Sequence, residues 1–230
     1  HLALGATTAD PATLEMLDEA ARSASARGAP AAAAELLDIA IRHDPDGAPQ
    51  RRIRAARYHL AAGDARAARE LLEPTVEALP EGPLRAKALA QWAAVHLFDD
   101  NFLEAAALLQ RALSEAGDNP ARRAQISTAL AFALFNGGHI EAAVACVEQA
   151  ESFAEAAGFP LLACQALTIK VHLHFMRGDG LDEDALQRAM RLEGESGHVP
   201  APFRPSLHHA CLLSWTGQIE EGRDELLAIR

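Results

Sequence analysis

The chain has 230 residues, of which 50% are hydrophobic and 5% aromatic, and its formal net charge is -11 at pH 7. The apolar half provides a large core and excludes a disordered chain, while the low aromatic content favours closely packed helices over sheets. The excess of acidic residues repels a phosphate backbone, and no apolar run approaches the ~20 residues that span a bilayer. We therefore expect no direct contact with nucleic acid, no membrane span and a cytoplasmic location.

Residues 1–10 are predicted to be the end of a preceding helix, formed by His1 to Leu4, followed by a linker. The sequence starts at His1 without an initiator methionine and stops inside a predicted helix. We therefore expect it to be a piece of a longer protein. Residues 11–230 are predicted to form one helical-repeat domain.

From residue 11 onward the sequence repeats a helix, a turn residue and a second helix. The first turn residues are 35, 37 and 37 residues apart, a period typical of stacked two-helix units. Glycine, asparagine and aspartate tolerate the left-handed backbone that such a turn requires. The predicted turn residues are Gly28, Gly63, Asp100, Gly137, Gly178 or Gly180, and Gly217.

Two other positions recur around each turn. A small side chain five residues after the turn lets the second helix pack closely on the first, at Ala33, Ala68, Ala105, Ala142 and Gly222, and at Ala185 if the fifth unit carries a short insertion. Proline suits the first turn of a helix because that turn needs no N–H bond, and it stands at Pro11, Pro30, Pro49, Pro83, Pro120 and Pro160. The predicted helix pairs are 11–43, 49–79, 83–116, 120–157, 160–194 and 203–230.

This pattern predicts an all-α fold, a right-handed solenoid of about six helical hairpins. Because proline also follows the turn by seventeen residues at Pro45 and Pro80, the units resemble the tetratricopeptide repeat (TPR). More narrowly, the segments HLALGATTADPATLEMLDEAARSASARGAPAAAAELLDIAIRHDP (1–45) and RRIRAARYHLAAGDARAARELLE (51–73) look like the central helical region of large LuxR-type, MalT-like transcriptional regulators. In that family an ATP-binding domain precedes the repeats and a helix-turn-helix DNA-binding domain follows them. The resemblance therefore implies ATP only in a missing upstream domain and no cofactor in this chain.

The sequence has no pattern typical of a metal site or an active site. His172 and His174 diverge on a predicted helix, as do His208 and His209, whereas metal ligands on a helix favour a spacing of four residues. No G-x-S-x-G motif presents a nucleophile, and the acidic run 179–184 is predicted to begin a helix. We expect neither a bound metal nor enzymatic activity.

A polar stripe on the first helices is the predicted binding surface. Positions six and thirteen residues before the turn residues lie two helical turns apart and share a face. Those positions give a partly basic set in an acidic chain, which suits an acidic peptide, a carboxylate or a phosphorylated metabolite. With Phe175 added as a ring that could stack on a ligand, the predicted site residues are Gln50, Arg57, Lys87, Gln165, His172, Phe175 and Arg204.

Together these features predict the signal-sensing and interaction region of a LuxR-type regulator. Protein segments or a small-molecule inducer would bind in the concave groove, and the ends of the array could self-associate. The alternative is a stand-alone TPR scaffold that binds peptide segments of partners. A third, less favoured class is a helical enzyme, which would gather its polar residues in one deep pocket.

Overall fold

The computed structural model describes residues 10–45, 49–196 and 199–229. The predicted helix end at His1 to Leu4 lies outside these residues. Within the described ranges the chain is all-α, with twelve α-helices and no strand. The helices are α1 (Pro11–Ala26), α2 (Pro30–His43), α3 (Pro49–Ala61), α4 (Ala65–Ala78), α5 (Pro83–Phe98), α6 (Phe102–Glu115), α7 (Pro120–Asn136), α8 (Ile140–Ala157), α9 (Pro160–Arg177), α10 (Glu183–Ser196), α11 (Pro205–Trp215) and α12 (Ile219–Ala228), with a 3-10 turn at Ala201–Phe203 before α11.

The chain divides into two compact units, His1–Gly117 and Asp118–Arg230. We call them unit 1 and unit 2. Unit 1 contains α1 to α6 and unit 2 contains α7 to α12, so each holds three helix pairs. The prediction of a single domain over residues 11–230 stays a prediction.

The helix ends follow from local chemistry. Proline begins α1, α2, α3, α5, α7 and α9, as the sequence predicts, and it also begins α11. Side chains cap several of the other free N–H groups. Asp10 accepts a hydrogen bond from the Thr13 amide at 2.7 Å, and Asp64 accepts one from the Ala67 amide at 2.9 Å.

The turn inside each pair needs a left-handed residue, and one predicted turn residue is wrong. Asp100 has a φ of 55° and Gly63 one of 86°, in agreement with the sequence pattern. In the fourth pair, however, Gly137 has a φ of -77°, and Gly138 takes the left-handed conformation with a φ of 85°. The small residue five positions later is consequently Ala143, which is fully buried, whereas Ala142 is exposed.

The core of each unit lies between the small residues and larger aliphatic ones four positions further on. These side chains are on one face of the second helix, and the eight are at most 1% exposed. They are Ala33 with Leu37, Ala68 with Leu72, Ala105 with Leu109, and Ala143 with Val147. This packing holds the first helix of each pair in place and so positions the side chains on it.

Candidate binding sites

A pocket of about 520 Å³ opens in unit 1 against the first helices of its three pairs. We call it the basic pocket, because four of its lining side chains are cations and one is a carboxylate. Its lining residues are Asp18, Arg22, Pro49, Gln50, Arg51, Arg54, Leu84 and Lys87. They come from α1, α3 and α5, so the close packing of successive pairs creates the pocket.

Asp18 organises the arginines of the basic pocket. Its carboxylate accepts a hydrogen bond from Arg51 Nε at 3.1 Å and another from Arg54 Nη2. Arg51 Nη1 also donates to Asp44 at 2.9 Å. The side chains of Asp18, Arg51 and Arg54 are only 16%, 16% and 21% exposed. Two guanidinium groups are therefore held side by side before any ligand arrives.

The lining of the basic pocket is mainly cationic. Arg22 donates to Glu19 from Nε at 3.0 Å, and Arg51 bonds Asp44, so two carboxylates outside the lining neutralise part of the charge. The lining itself contains four cations and one carboxylate. Arg54 Nε is buried and has no hydrogen-bond partner within the described residues. Paired guanidinium groups suit a carboxylate or phosphate oxygen.

Unit 2 gathers five rings from its first helices. Phe135 of α7, His172 and Phe175 of α9, and His208 and Trp215 of α11 form what we call the ring cluster. His172 lies at its centre, with its ring centroid 5.3 Å from Phe135, 4.8 Å from His208 and 5.4 Å from Trp215. Phe175 stacks on Trp215 at 6.3 Å with 13° between the ring planes. The Trp215 side remains open to solvent, because this residue is 53% exposed.

The two histidines of the ring cluster form a neutral pair. Their Nδ1 atoms are 3.1 Å apart, and His208 Nε2 lies 3.0 Å from the Pro202 carbonyl oxygen. Burial and, to a smaller extent, the neighbouring His208 lower the pKa of His172 to about 4. Burial also lowers the pKa of His208, with the Pro202 carbonyl acting in the opposite direction. Both rings are consequently uncharged near neutral pH.

Of the seven predicted site residues, three lie in unit 1 and four in unit 2. Gln50 and Lys87 both line the basic pocket. Arg57, from the same predicted stripe, is exposed, and its guanidinium lies over the Tyr58 ring at 5.1 Å from the ring centroid. His172 and Phe175 belong to the ring cluster. Gln165 is half-buried on α9, outside both sites.

Arg204 serves an internal contact. It precedes α11, and its Nε donates to Glu193 Oε1 at 2.7 Å. The same carboxylate accepts from the Ser206 amide at 2.9 Å and from the Ser206 hydroxyl at 2.8 Å. The Arg204 hydrogen bond, followed by the two from Ser206, lowers the pKa of Glu193 against the opposing effect of burial. This group ties the end of α10 to the start of α11.

Sequence reasoning missed Arg51, Arg54, His208 and most of the ring cluster. The repeat length could have identified these residues, because Asp18 and Arg54 are 36 residues apart, as are His172 and His208. Side chains one repeat apart on first helices meet in space. Spacing within a single helix, used to argue against a histidine site, cannot detect such pairs. Within the described residues, no three His, Cys, Asp or Glu side chains form a group that could hold a metal.

No protein-family model matches the sequence, and no curated protein does. Solved structures of TPR-like proteins do share the fold. A Podosopora anserina kinesin light chain with nearly identical TPR-like repeats has a TM-score of 0.62 at 20% identity, covering 82% of this chain and 99% of that chain. Pseudomonas aeruginosa pilF has a TM-score of 0.61 at 15% identity, covering 94% and 88%. MamA from Desulfovibrio magneticus RS-1 has a TM-score of 0.58 at 16% identity, covering 81% and 98%.

These likenesses, together with the helix pairs, show that the chain has the fold of TPR-like helical-repeat proteins. The predicted fold class is thereby confirmed. Identities this low establish the shared fold alone, and they give no link to LuxR-type regulators. Within the described residues, none of the helices has the length and apolar character needed to cross a bilayer.

Proposed function

We propose that this chain is a protein-interaction scaffold whose basic pocket binds acidic segments of partner proteins. The observation that supports it is the pocket of about 520 Å³ with four cations, built on α1, α3 and α5 in a chain of net charge -11. A volume of this size takes a few side chains of an extended segment. The preformed arginine pair lowers the entropy cost of gripping a carboxylate.

The test uses a tetraglutamate peptide and its tetraglutamine counterpart, measured by calorimetric titration. Lys87 lies exposed in the pocket lining, so Lys87→Glu changes the pocket charge without removing a core contact. We expect tetraglutamate to bind, added salt to weaken it, and Lys87→Glu to weaken it about tenfold. Tetraglutamine should not bind measurably.

The matched control is Arg111→Glu. Arg111 is exposed on α6, a second helix, and its substitution changes the net charge of the chain by the same amount. It should leave tetraglutamate affinity unchanged. Equal losses in the two variants would mean that only the overall charge matters, and the proposal would then be wrong.

A second candidate is the signal-sensing region of a LuxR-type regulator, which rests on the resemblance of residues 1–45 and 51–73. In that role the partner segment or a small-molecule inducer would change how ATP-binding and DNA-binding domains are held, in a cytoplasmic protein with no catalytic activity of its own in this region. The parent gene tests it. If this candidate is correct, the gene encodes a phosphate-binding loop upstream and a helix-turn-helix downstream. A gene that lacks both would rule out the regulator and favour the scaffold function.

A further inference from the structure

The hydrogen bonds of the ring cluster fix where the protons of its two imidazoles lie. The Pro202 carbonyl oxygen can only accept, so His208 Nε2 at 3.0 Å carries the proton in the neutral ring. His208 Nδ1 is then bare. It must accept from His172 Nδ1–H at 3.1 Å, since two bare nitrogens would repel at that distance.

These two hydrogen bonds leave His172 Nε2 as an acceptor without a donor. With its proton on Nδ1, His172 presents a lone pair at Nε2, on the side of the ring directed away from His208. No described residue forms a hydrogen bond with Nε2. The atom therefore needs a donor, and the low pKa of His172 keeps it an acceptor at neutral pH.

Other rings of the cluster contact the His172 imidazole. Trp215 contacts His172 with centroids 5.4 Å apart and is itself 53% exposed. Phe175 stacks on Trp215 with nearly parallel ring planes. An aromatic ring placed against Trp215 gains both burial and a preferred ring–ring geometry.

We propose that the ring cluster binds a tyrosine side chain of a partner segment, with the phenol ring against Trp215 and the hydroxyl donating to His172 Nε2. A phenol matches both features, because it carries one O–H donor on an apolar ring. A carboxylate would meet a bare lone pair, and an aliphatic chain would leave the acceptor unsatisfied. The assignment rests on the proposed scaffold function only in taking the tyrosine from a partner protein. The tetraglutamate test of the basic pocket does not involve the ring cluster.

The probes are N-acetyltyrosinamide and N-acetylphenylalaninamide, which are uncharged and differ by one hydroxyl. The protein is the full chain carrying Trp92→Phe, so that Trp215 is the one remaining tryptophan. Its fluorescence, excited at the red edge of tryptophan absorption where tyrosine does not absorb, reports binding. We expect the tyrosine probe to bind about three- to tenfold more tightly than the phenylalanine probe.

His172→Phe, made in the same background, preserves a ring and removes the acceptor. The preference for the tyrosine probe should disappear, while weak binding of both probes remains. His139→Phe is the matched control, because His139 is exposed before α8 and outside the ring cluster. It should keep the preference. Equal affinity for the two probes in the Trp92→Phe protein, or no fluorescence change with either, would overturn the assignment whatever tetraglutamate does in unit 1.

Discussion

At the scale of single residues, the His172–His208 pair couples the stability of unit 2 to protons. The bond between their Nδ1 atoms requires a bare nitrogen on His208, so a proton added to His208 Nδ1 breaks it. Burial of the two rings and the neighbouring imidazole are what lower the pKa of His172 to about 4, and no carboxylate contributes to the shift of either histidine. The unfolded chain has ordinary histidines, which take up protons near pH ~6.5.

Unit 2 should therefore lose stability as the pH falls below the unfolded pKa. Between that value and the folded pKa of about 4 for His172 the unfolded state binds more protons, so protonation favours unfolding. We expect the free energy of unfolding to fall by about 1–2 kcal/mol from pH ~7 to pH ~5, relative to a variant without this pair. Urea titrations followed by Trp215 fluorescence in the Trp92→Phe background measure it. His172→Phe should flatten the pH dependence and His139→Phe should not; equal slopes in the two variants would refute the account.

At the scale of helices and turns, the sequence predicts the secondary structure more completely than it predicts the residues of the binding sites. Glycine, aspartate and proline act within a few residues of their own position, so the helix pairs and most turns are readable from local pattern. Gly137 and Gly138 are adjacent, and pattern alone cannot tell which takes the left-handed φ; the packing of Ala143 decides. The basic pocket and the ring cluster depend on side chains one repeat apart, such as Asp18 and Arg54, whose meeting requires the register of successive helices.

At Gly222 the close packing of α11 and α12 leaves no space for a side chain. A Cβ built on it would lie 2.5 Å from Ser214 Oγ and 2.7 Å from the Ala210 carbonyl oxygen. The alanine that other pairs carry at this position therefore does not fit between α11 and α12. We expect Gly222→Ala to lower the free energy of unfolding by about 1–3 kcal/mol through overpacking.

Gly194, inside α10, is the control for this substitution. A Cβ there meets nothing within 4 Å, so Gly194→Ala should stabilise by about 0.5–1 kcal/mol through helix propensity and the reduced freedom of the unfolded chain. Denaturant midpoints followed by circular dichroism compare the two variants. If Gly222→Ala also stabilises, the close approach of α11 and α12 is not as described.

At the scale of the molecule, the two units carry different chemistry on equivalent helices. In unit 1 Asp18 of α1 bonds two arginines of α3, whereas in unit 2 aromatic and imidazole rings of α7, α9 and α11 contact one another. Each unit also has buried clusters of its own, around Leu37 in unit 1 and around Leu162 and Leu186 in unit 2. In repeat proteins stability is approximately a sum over units and their neighbours. We therefore expect each unit to fold and to bind its own ligand independently of the other.

Cutting the chain between Gly117 and Asp118 should therefore separate the two binding activities without abolishing either. The unit 1 fragment should be helical and bind tetraglutamate with the affinity of the whole chain, because every residue lining the basic pocket lies before the cut. The unit 2 fragment should prefer N-acetyltyrosinamide to N-acetylphenylalaninamide and ignore tetraglutamate. Circular dichroism establishes folding, and the same titrations measure binding. A folded unit 1 fragment that fails to bind tetraglutamate would show that the acidic segment needs residues beyond Gly117, and the pocket would then be only part of the binding site.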